Sequence, residues 1–352
     1  MNATIQTPKS KKEIEPKTDS TDKWDILKSI KKSLDKQFET DNSLIRLGDK
    51  DNHPVPSIST GLLTLDWDVV GCGGLPEGRQ IEVFGPESSG KTTFALHCIA
   101  QQQKLGKLCA IVDSEHSLSP AYAKILGVDI DSLIFSQPDS GEQSITTVQE
   151  LVNSGIVSLI VVDSVAALVP SSELEGDIGG SFMGQQARLM SQSMRVLRGI
   201  CNTHKCTIVW INQTRQKIGI VYGNPEVTTG GLALKFYASL RLDIRRKEVI
   251  KDGDTQIGHQ LRIKAVKNKV GAPFRETIVD LLYGSGIDTL SDTIQYAVNH
   301  EIITRSGSWY AFGDERLGQG LPNVKQALLD APELLENIQE KIKIGLDSPK
   351  TV

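Results

Sequence analysis

Gly85-Pro86-Glu87-Ser88-Ser89-Gly90-Lys91-Thr92 decides how this chain folds. The run fits G-x-x-x-x-G-K-[ST], a loop whose backbone wraps an anion. Ile81 to Phe84 before it is apolar and reads as a buried strand, and Thr93 to Lys104 after it reads as a helix. A helix start carries unpaired N–H groups and the positive end of a dipole, which suits it to phosphate oxygens. Glycine lets the backbone close around the anion. Lys91 is then set for β- and γ-phosphates, and the Thr92 hydroxyl for a Mg²⁺ shell. A Gly/Ser turn that matched by chance would lack the flanking strand and helix.

Outward from this loop the pattern repeats as apolar run, helix, apolar run. Ile81–Phe84, Leu108–Val112, Leu133–Phe135, Leu159–Val162 and Ile208–Ile211 are short and mostly β-branched. Strands alternating with helices predict an α/β fold with a mostly parallel twisted sheet flanked by helices. Leu240–Ile244, Leu261–Val266 and Thr277–Leu282 alternate apolar with polar residues and predict additional, more exposed strands. After Gly286 the pattern changes to a small α/β domain over 286–346, with a helix through Ile287, Leu290, Ile294 and Val298. A hairpin at Trp309–Phe312 and helices over Asn323–Asp330 and Glu333–Ile344 complete it, before a short tail at 347–352. At the other end, residues 1–22 are rich in Lys, Ser, Thr, Glu and Pro, the composition of a disordered extension. Asp22 is placed as an N-cap for a helix whose Trp24, Leu27, Ile30, Leu34 and Phe38 form one apolar stripe, leading through a linker to residue 58. The ATPase-type core is expected over 59–285.

Bulk properties exclude some classes. At 352 residues there is room for a large core and a smaller domain. A net charge of −4 rules out a uniformly basic surface but leaves local basic patches open. No apolar stretch is long enough to span a bilayer, and the N-terminal residues lack the apolar core of a secretory signal. The five cysteines form no C-x-x-C pair; Cys98, Cys109 and Cys206 lie in apolar segments and read as small buried residues of a reducing, cytoplasmic protein. Cys201, His204 and Cys206 are close in sequence, but no second ligand cluster accompanies them, so they read as core or surface residues.

The remaining chemistry sits at predicted strand ends. Leu159-Ile160-Val161-Val162-Asp163 delivers one carboxylate to a strand's C-terminal end, where it can hold a Mg²⁺ water. Asp113-Ser114-Glu115-His116 follows another strand; Glu115 can polarise water for attack on a γ-phosphate, with His116 the rival base. Gln213 closes a further strand and opens directly into a long Gly-punctuated loop at 214–230. An amide there can bond a γ-phosphate and lose that bond after hydrolysis, which would let nucleotide state set the loop's order. Arg188 and Arg195 share a helix face with Arg198 close by, and Arg215 and Lys217 begin the long loop. Together they suggest either a local track for a DNA backbone or a solvated helix face.

These motifs resemble those of the bacterial RecA recombinase family over residues 24–345. The resemblance rests on the loop at 85–93, on Val161-Val162-Asp163-Ser164-Val165-Ala166-Ala167-Leu168, and on Gly223-Asn224-Pro225-Glu226 through Gly230-Gly231. Lys235-Phe236-Tyr237-Ala238-Ser239 and Arg241-Leu242-Asp243-Ile244-Arg245-Arg246 are more specific still. It implies an ATP- and Mg²⁺-dependent filament on single-stranded DNA that pairs with homologous duplex and exchanges strands. It implies catalytic roles for Glu115, Lys91 and Gln213. Its ATP site takes Gly85, Pro86, Glu87, Ser88, Ser89, Gly90, Lys91, Thr92, Thr93, Ser119, Tyr122, Asp163 and Tyr283, with Thr92 and Asp163 at the metal. Tyr122 matches the base-stacking ring, and Lys267 and Lys269 match groups reaching the ATP of an adjacent subunit. Family DNA contacts fall on Met183, Arg188, Ser191, Arg195, Arg215, Ile218, Glu226, Gly230 and Gly231, within or beside loops at about 173–184 and 214–230. The helix at 24–38 and Phe236 match subunit-packing elements, making the chain its own polymerisation partner. A self-cleaving repressor and a single-stranded-DNA-binding protein are further partners the resemblance raises. The sequence departs from the pattern at Ser119, where the family has Asp, at Leu232 for Asn, at Gly179-Gly180 for Gly-Asp, and in ending without an acidic tail. A ring-forming helicase or motor on the same core, or a regulatory ATP-binding module, are the competing readings; Lys91, Glu115 and Asp163 together count against the second.

Overall fold

The computed structural model describes residues 20–39, 43–44, 55–177, 184–216 and 226–347. The chain divides into two compact units, Met1–Pro54 and Val55–Val352. In the first, α1 (Ser20–Phe38) carries the expected stripe, with Trp24, Leu27, Ile30 and Phe38 exposed along it. The helix starts at Ser20, so Asp22 lies inside its first turn and is not its cap. Ser20, Thr21 and Asp22 are all cap-type residues, and sequence alone does not choose among them. Most of the extension expected to be disordered, residues 1–19, lies outside the described residues.

The second unit is built on a ten-stranded sheet. After a short ribbon of β1 (Ser57–Ile58) and β2 (Leu75–Pro76), the strands are β3 (Gln80–Gly85), β4 (Leu108–Asp113), β5 (Ile134–Ser136), β6 (Val157–Asp163) and β7 (Thr207–Gln216). They continue as β8 (Glu226–Thr228), β9 (Leu240–Asp252), β10 (Thr255–Asn268), β11 (Glu276–Leu282) and β12 (Gly286–Ile287). Their spatial order is β12-β11-β10-β9-β3-β7-β6-β4-β5, with β8 paired to the end of β7. Neighbours from β9 to β5 are parallel; β9 to β12 form an antiparallel extension.

The strand period of two sorts this sheet into two cores. Ile81, Val83, Ile111, Val161, Val209 and Ile211 face one way, onto Phe94, Leu96 and Ile99 of α2 (Lys91–Lys104) and onto α3 (Pro120–Ile125). Ala110, Val112, Ile160, Val162, Ile208 and Trp210 face the other, onto α4 (Gly141–Asn153) and α6 (Gln185–His204). A short helix, α5 (Ser171–Leu174), buries none of its residues, while α7 (Ala233–Tyr237) adds Ala233 and Leu234 to the second core. All five cysteines are buried and free, and no metal-binding cluster of His, Cys, Asp or Glu occurs among the described residues.

Two expectations are corrected. Leu240–Ile244 is an interior strand beside β3, with Leu240, Leu242 and Ile244 buried. Its intervening charges gave a half-exposed pattern, yet each is matched inside the protein: Arg241 donates to Glu82, and Asp243 accepts from Arg245 and Arg262. The segment 214–230 is not loop throughout. Its ends pair as strands, Thr214 with Thr228, Arg215 with Val227 and Gln216 with Glu226.

Beyond β12, α8 (Thr289–Asn299), the sheet of β13 (Thr304–Ser306), β14 (Trp309–Phe312) and β15 (Glu315–Gln319), α9 (Leu321–Asp330) and α10 (Pro332–Asp347) enclose a third core. This part docks on a π-helical turn, Thr64–Val70, whose Trp67 packs into that core. Thr64 donates to Asp292 of α8 through its hydroxyl and its N–H, and Asp68 bonds His300 at 2.7 Å. Within the same turn Asp66 is fully enclosed and accepts from Ser59, from the Thr60 hydroxyl at 2.6 Å and from the Thr60 N–H.

Burial raises the Asp66 carboxyl to about 7, with the nearby Asp292 adding to the effect. The folded protein therefore holds this proton where the unfolded chain, titrating near 4, has lost it. The Asp66 contribution to stability thus falls as pH rises through the window between those values. Asp66→Asn cannot ionise, so its stability relative to the parent should improve across that window by roughly 1 kcal/mol per pH unit. Urea midpoints of the two proteins from pH 4 to pH 8 check this, and a constant difference would contradict it.

Candidate active site

Parallel strands deliver their C-terminal ends to one edge. Register sets Gly85 beside Gln213 and Asp113 beside Asp163, so the ends of β3, β7, β4 and β6 converge there. The loop after β3 starts at Gly85 because the backbone is crowded: a Cβ would lie 2.1 Å from the Ile244 carbonyl oxygen. Gly90 has φ +90° and precedes α2, whose first backbone bond runs from Phe94 N–H to Gly90 at 2.9 Å. The amides before Phe94 are left for an anion. Two side chains of the loop also await one. Ser89 Oγ is buried without a partner, and Lys91, only 7% exposed, donates its Nζ to the Pro86 carbonyl at 2.6 Å. Burial lowers the Lys91 pKa, while Asp163, Glu115 and Glu87 oppose that shift.

The Thr92 hydroxyl donates to Asp163 Oδ2 at 2.6 Å. Burial pushes Asp163 up to about 6, reinforced by Glu115 and Asp113 and countered by Thr92 and Lys91. Hard oxygen donors with two flanking carboxylates, Glu115 and Asp113, are the chemistry a divalent cation compensates. Glu115 is held over this point by its neighbours. The N–H groups of Ser114 and Glu115 donate to the Asp163 carbonyl at 2.7 and 3.2 Å, folding the β4 loop onto β6. Glu115 Oε1 then accepts from Gln213 Nε2 at 2.9 Å and from the Ser164 hydroxyl. The two rival bases thus differ in position: Glu115 touches Gln213 and Ser164, whereas His116 lies at an exposed bend with φ +54°.

Beside the loop, a cavity of about 270 Å³ is lined by Ser88, Lys91, Thr93, Tyr122, His259 and Tyr283. Tyr122 OH and Thr93 Oγ1 lie 2.9 Å apart. Ser119 does not line the cavity; its hydroxyl caps α3 by accepting from the Tyr122 N–H at 3.3 Å. Glu87 and Pro86 complete the loop at its exposed rim. Lys267 and Lys269 are not brought here. They lie at the opposite sheet edge, where Lys267 pairs in register with Arg241 and donates to the carbonyls of Lys235 and Phe236 at 2.6 and 3.0 Å. Burial and the adjacent cations Lys269 and Arg241 bring Lys267 down to about 8.

A second group of expected residues gathers where α6 meets the end of the long loop. Arg188, Ser191 and Arg195 run along the exposed face of α6. Gly230 and Gly231, at φ +77° and +75°, press against the same helix and the turn before it: a Cβ on Gly230 would lie 2.8 Å from Val165 and 3.3 Å from Met190 of α6, and one on Gly231 2.9 Å from Ala187 of α6. Arg215 sits on the exposed stem of the loop, and Glu226 is engaged by Arg245 through two hydrogen bonds. Met183 and Ile218 lie outside the described residues. So do 178–183 and 217–225 of the two loops.

Comparison with known proteins agrees with this arrangement. The family model described as RecA N-terminal domain matches residues 25–288, and that described as RecA C-terminal domain matches 291–347. The chain belongs to the RecA family. It is 52% identical to Protein RecA of Clostridium novyi over 324 residues, covering 92% of each chain. It is also 52% identical to Protein RecA of Paracoccus denitrificans over 331 residues, covering 93% of this chain and 92% of the relative. Membership makes it a recombinase of homologous recombination and DNA repair and a DNA-dependent ATPase. No helix among the described residues is long and apolar enough to cross a membrane.

Several residues of the RecA-type site carried no sequence signal of their role. Ser164 was visible only as part of a motif. Asn212, directly after the apolar run Ile208–Ile211, is fully buried, donates to Glu82 at 2.9 Å and to the Thr229 carbonyl at 3.1 Å, and accepts from the Gln213 N–H. Glu82, an acid inside an apolar strand, was the available clue, since a buried carboxylate requires partners. Gly230→Ala should cost about 1–2 kcal/mol from left-handed backbone alone, more with the Val165 contact. Its chemical-denaturation midpoint should therefore fall, and an unchanged midpoint would contradict the crowding.

Proposed function

We propose that the chain binds ATP with Mg²⁺ at the 85–93 loop, assembles with copies of itself on single-stranded DNA, and exchanges that strand with a homologous duplex. The observation that carries this reading is the contact of Gln213 with Glu115 at the mouth of the phosphate loop, because Gln213 is also the start of the segment leading to the α6 surface. Thr92 and Asp163 would hold Mg²⁺, which when bound neutralises charge on the phosphate oxygens. The free amides at the start of α2, Ser89 and Lys91 bind the phosphates. Glu115 accepts a proton from the water that attacks the γ-phosphorus; the bond to the β,γ-bridging oxygen breaks, releasing ADP and phosphate. Gln213 exchanges its bond to Glu115 for one to the γ-phosphate and surrenders it after hydrolysis.

Arg188, Ser191, Arg195, Arg215 and the glycine pair supply backbone contacts for DNA, with Met183 and Ile218 from the two loops. Lys267 and Lys269, remote from their own phosphate loop, serve the ATP of a neighbouring subunit, and the α1 stripe packs on that neighbour. In this reading a filament is the active form, and Phe236, 69% exposed next to the lysines, lies in the contact between subunits.

Electron microscopy with single-stranded DNA and a non-hydrolysable ATP analogue tests the assembly. The expected image is an extended helix; a closed ring would favour a motor on the same core, and absence of any assembly would favour a regulatory module. Gln213→Ala should still bind ATP, because the loop contacts are untouched, but should lose most of the gain in single-stranded-DNA affinity that the analogue gives over ADP. Titrations at one fixed salt concentration measure this, and retention of the full gain would move the switch away from Gln213.

A further inference from the structure

The cavity beside the phosphate loop holds a histidine that the reaction does not use. His259 lies on β10, is 5% exposed and lines that cavity with Tyr122 and Tyr283. Its Nδ1 lies 3.3 Å from the Tyr283 hydroxyl, and its ring is tilted 55° to the tyrosine ring at a centroid distance of 5.7 Å. The same hydroxyl receives two other groups: Gln256 Nε2 at 2.5 Å and Arg246 Nη2 at 3.2 Å.

Hydrogen-bond capacity fixes what the histidine does. The amide and the guanidinium can only donate, so they occupy the lone pairs of the phenol oxygen. The phenol's own proton is left for the single acceptor in reach, His259 Nδ1. The imidazole is then neutral with its proton on Nε2, an atom that is buried without a partner. Burial and the positive charge of Arg246 both lower the histidine pKa, in keeping with a neutral ring. The result is a half-exposed Tyr283 ring tethered by its far end to three side chains of two strands of the antiparallel extension, β9 and β10. Tyr122 is tethered in the corresponding way by Thr93. Meanwhile Ser119, the residue that departs from the family pattern, spends its hydroxyl on the α3 cap.

We propose that His259 is the positioning residue for the nucleobase: by accepting the Tyr283 hydroxyl hydrogen it locks that ring as a wall against which the planar base of the bound nucleoside triphosphate packs. The ligand class is a purine ring, recognised by aromatic surface and not by a carboxylate at position 119. This rests on the reading of the 85–93 loop as an ATP site and adds to it the device that orients the base.

The test compares His259→Phe, which keeps a ring but removes the acceptor, with His259→Asn, whose side-chain carbonyl can take over as acceptor. Affinities for an ATP analogue and for inorganic tripolyphosphate are measured with Mg²⁺, together with KM and kcat for ATP. His259→Phe is expected to weaken analogue binding and raise KM by about 3- to 10-fold, the worth of one hydrogen bond, with kcat and tripolyphosphate affinity held. His259→Asn should recover most of the loss, and in the double variant His259→Phe should add little to Tyr283→Phe, because removing the hydroxyl already breaks the bond to His259 along with those from Gln256 and Arg246. Unchanged analogue affinity in a folded His259→Phe protein overturns the proposal. So does an equal loss of tripolyphosphate binding, or full additivity with Tyr283→Phe. A parent protein that binds neither analogue nor tripolyphosphate would instead overturn the ATP reading beneath it.

Discussion

Everything at the site depends on one constraint of parallel β-structure: strands running the same way must end at the same edge. Register fixes Gly85 beside Gln213 and Asp113 beside Asp163, and from these follow the phosphate loop, the Asp163–Thr92 pair and the Glu115 loop. Asp163 ends β6, Gln213 is the last β7 residue paired with β3, and Glu115 comes two residues beyond β4, so each is placed by a strand segment that is buried just before it. The precision of the site is therefore inherited from two hydrophobic cores, and not from the loops themselves.

The same constraint supplies a route from the 85–93 loop to the α6 surface. Arg241, Glu82, Asn212 and Thr229 form one chain of hydrogen bonds across β9, β3, β7 and the far end of the long loop. Asn212 is its centre, because it also accepts from the Gln213 N–H. A buried network of this kind is costly when partly satisfied, so it tends to hold or break as a unit. Gln213 sits at its mouth with Glu115, and Gly230 follows Thr229 directly onto α6. Arg241 stacks 4.6 Å above Phe84 and pairs in register with Lys267, which ties the chain to the other sheet edge.

Much of this was legible in the sequence. The spacing Gly85 to Thr92 between an apolar run and a helical pattern gave both the sheet and the edge that matters. Asp163 was readable as the first polar residue past an apolar run, and Glu115 and Gln213 as polar residues within three positions of one. What periodicity hid were charges neutralised out of sight: Arg241 and Asp243 made β9 look half-exposed although it lies beside β3. Equally hidden was Asn212, because a buried amide looks like any strand-end polar residue until its partners, distant by 130 residues in one case, are in place. The stem of the 214–230 segment was missed for a related reason, since β8 is three residues long and pairs only with the continuation of β7.

The central claim is that the γ-phosphate is sensed by Gln213 and passed through Asn212 to the loop that meets α6. Amide hydrogen exchange over residues 214–231, recorded with ADP and with a non-hydrolysable ATP analogue in the absence of DNA, tests it most directly. The account predicts slower exchange with the analogue across this whole segment, Thr229 included. Identical exchange with the two nucleotides, while the amides at the start of α2 report that both are bound, would contradict it.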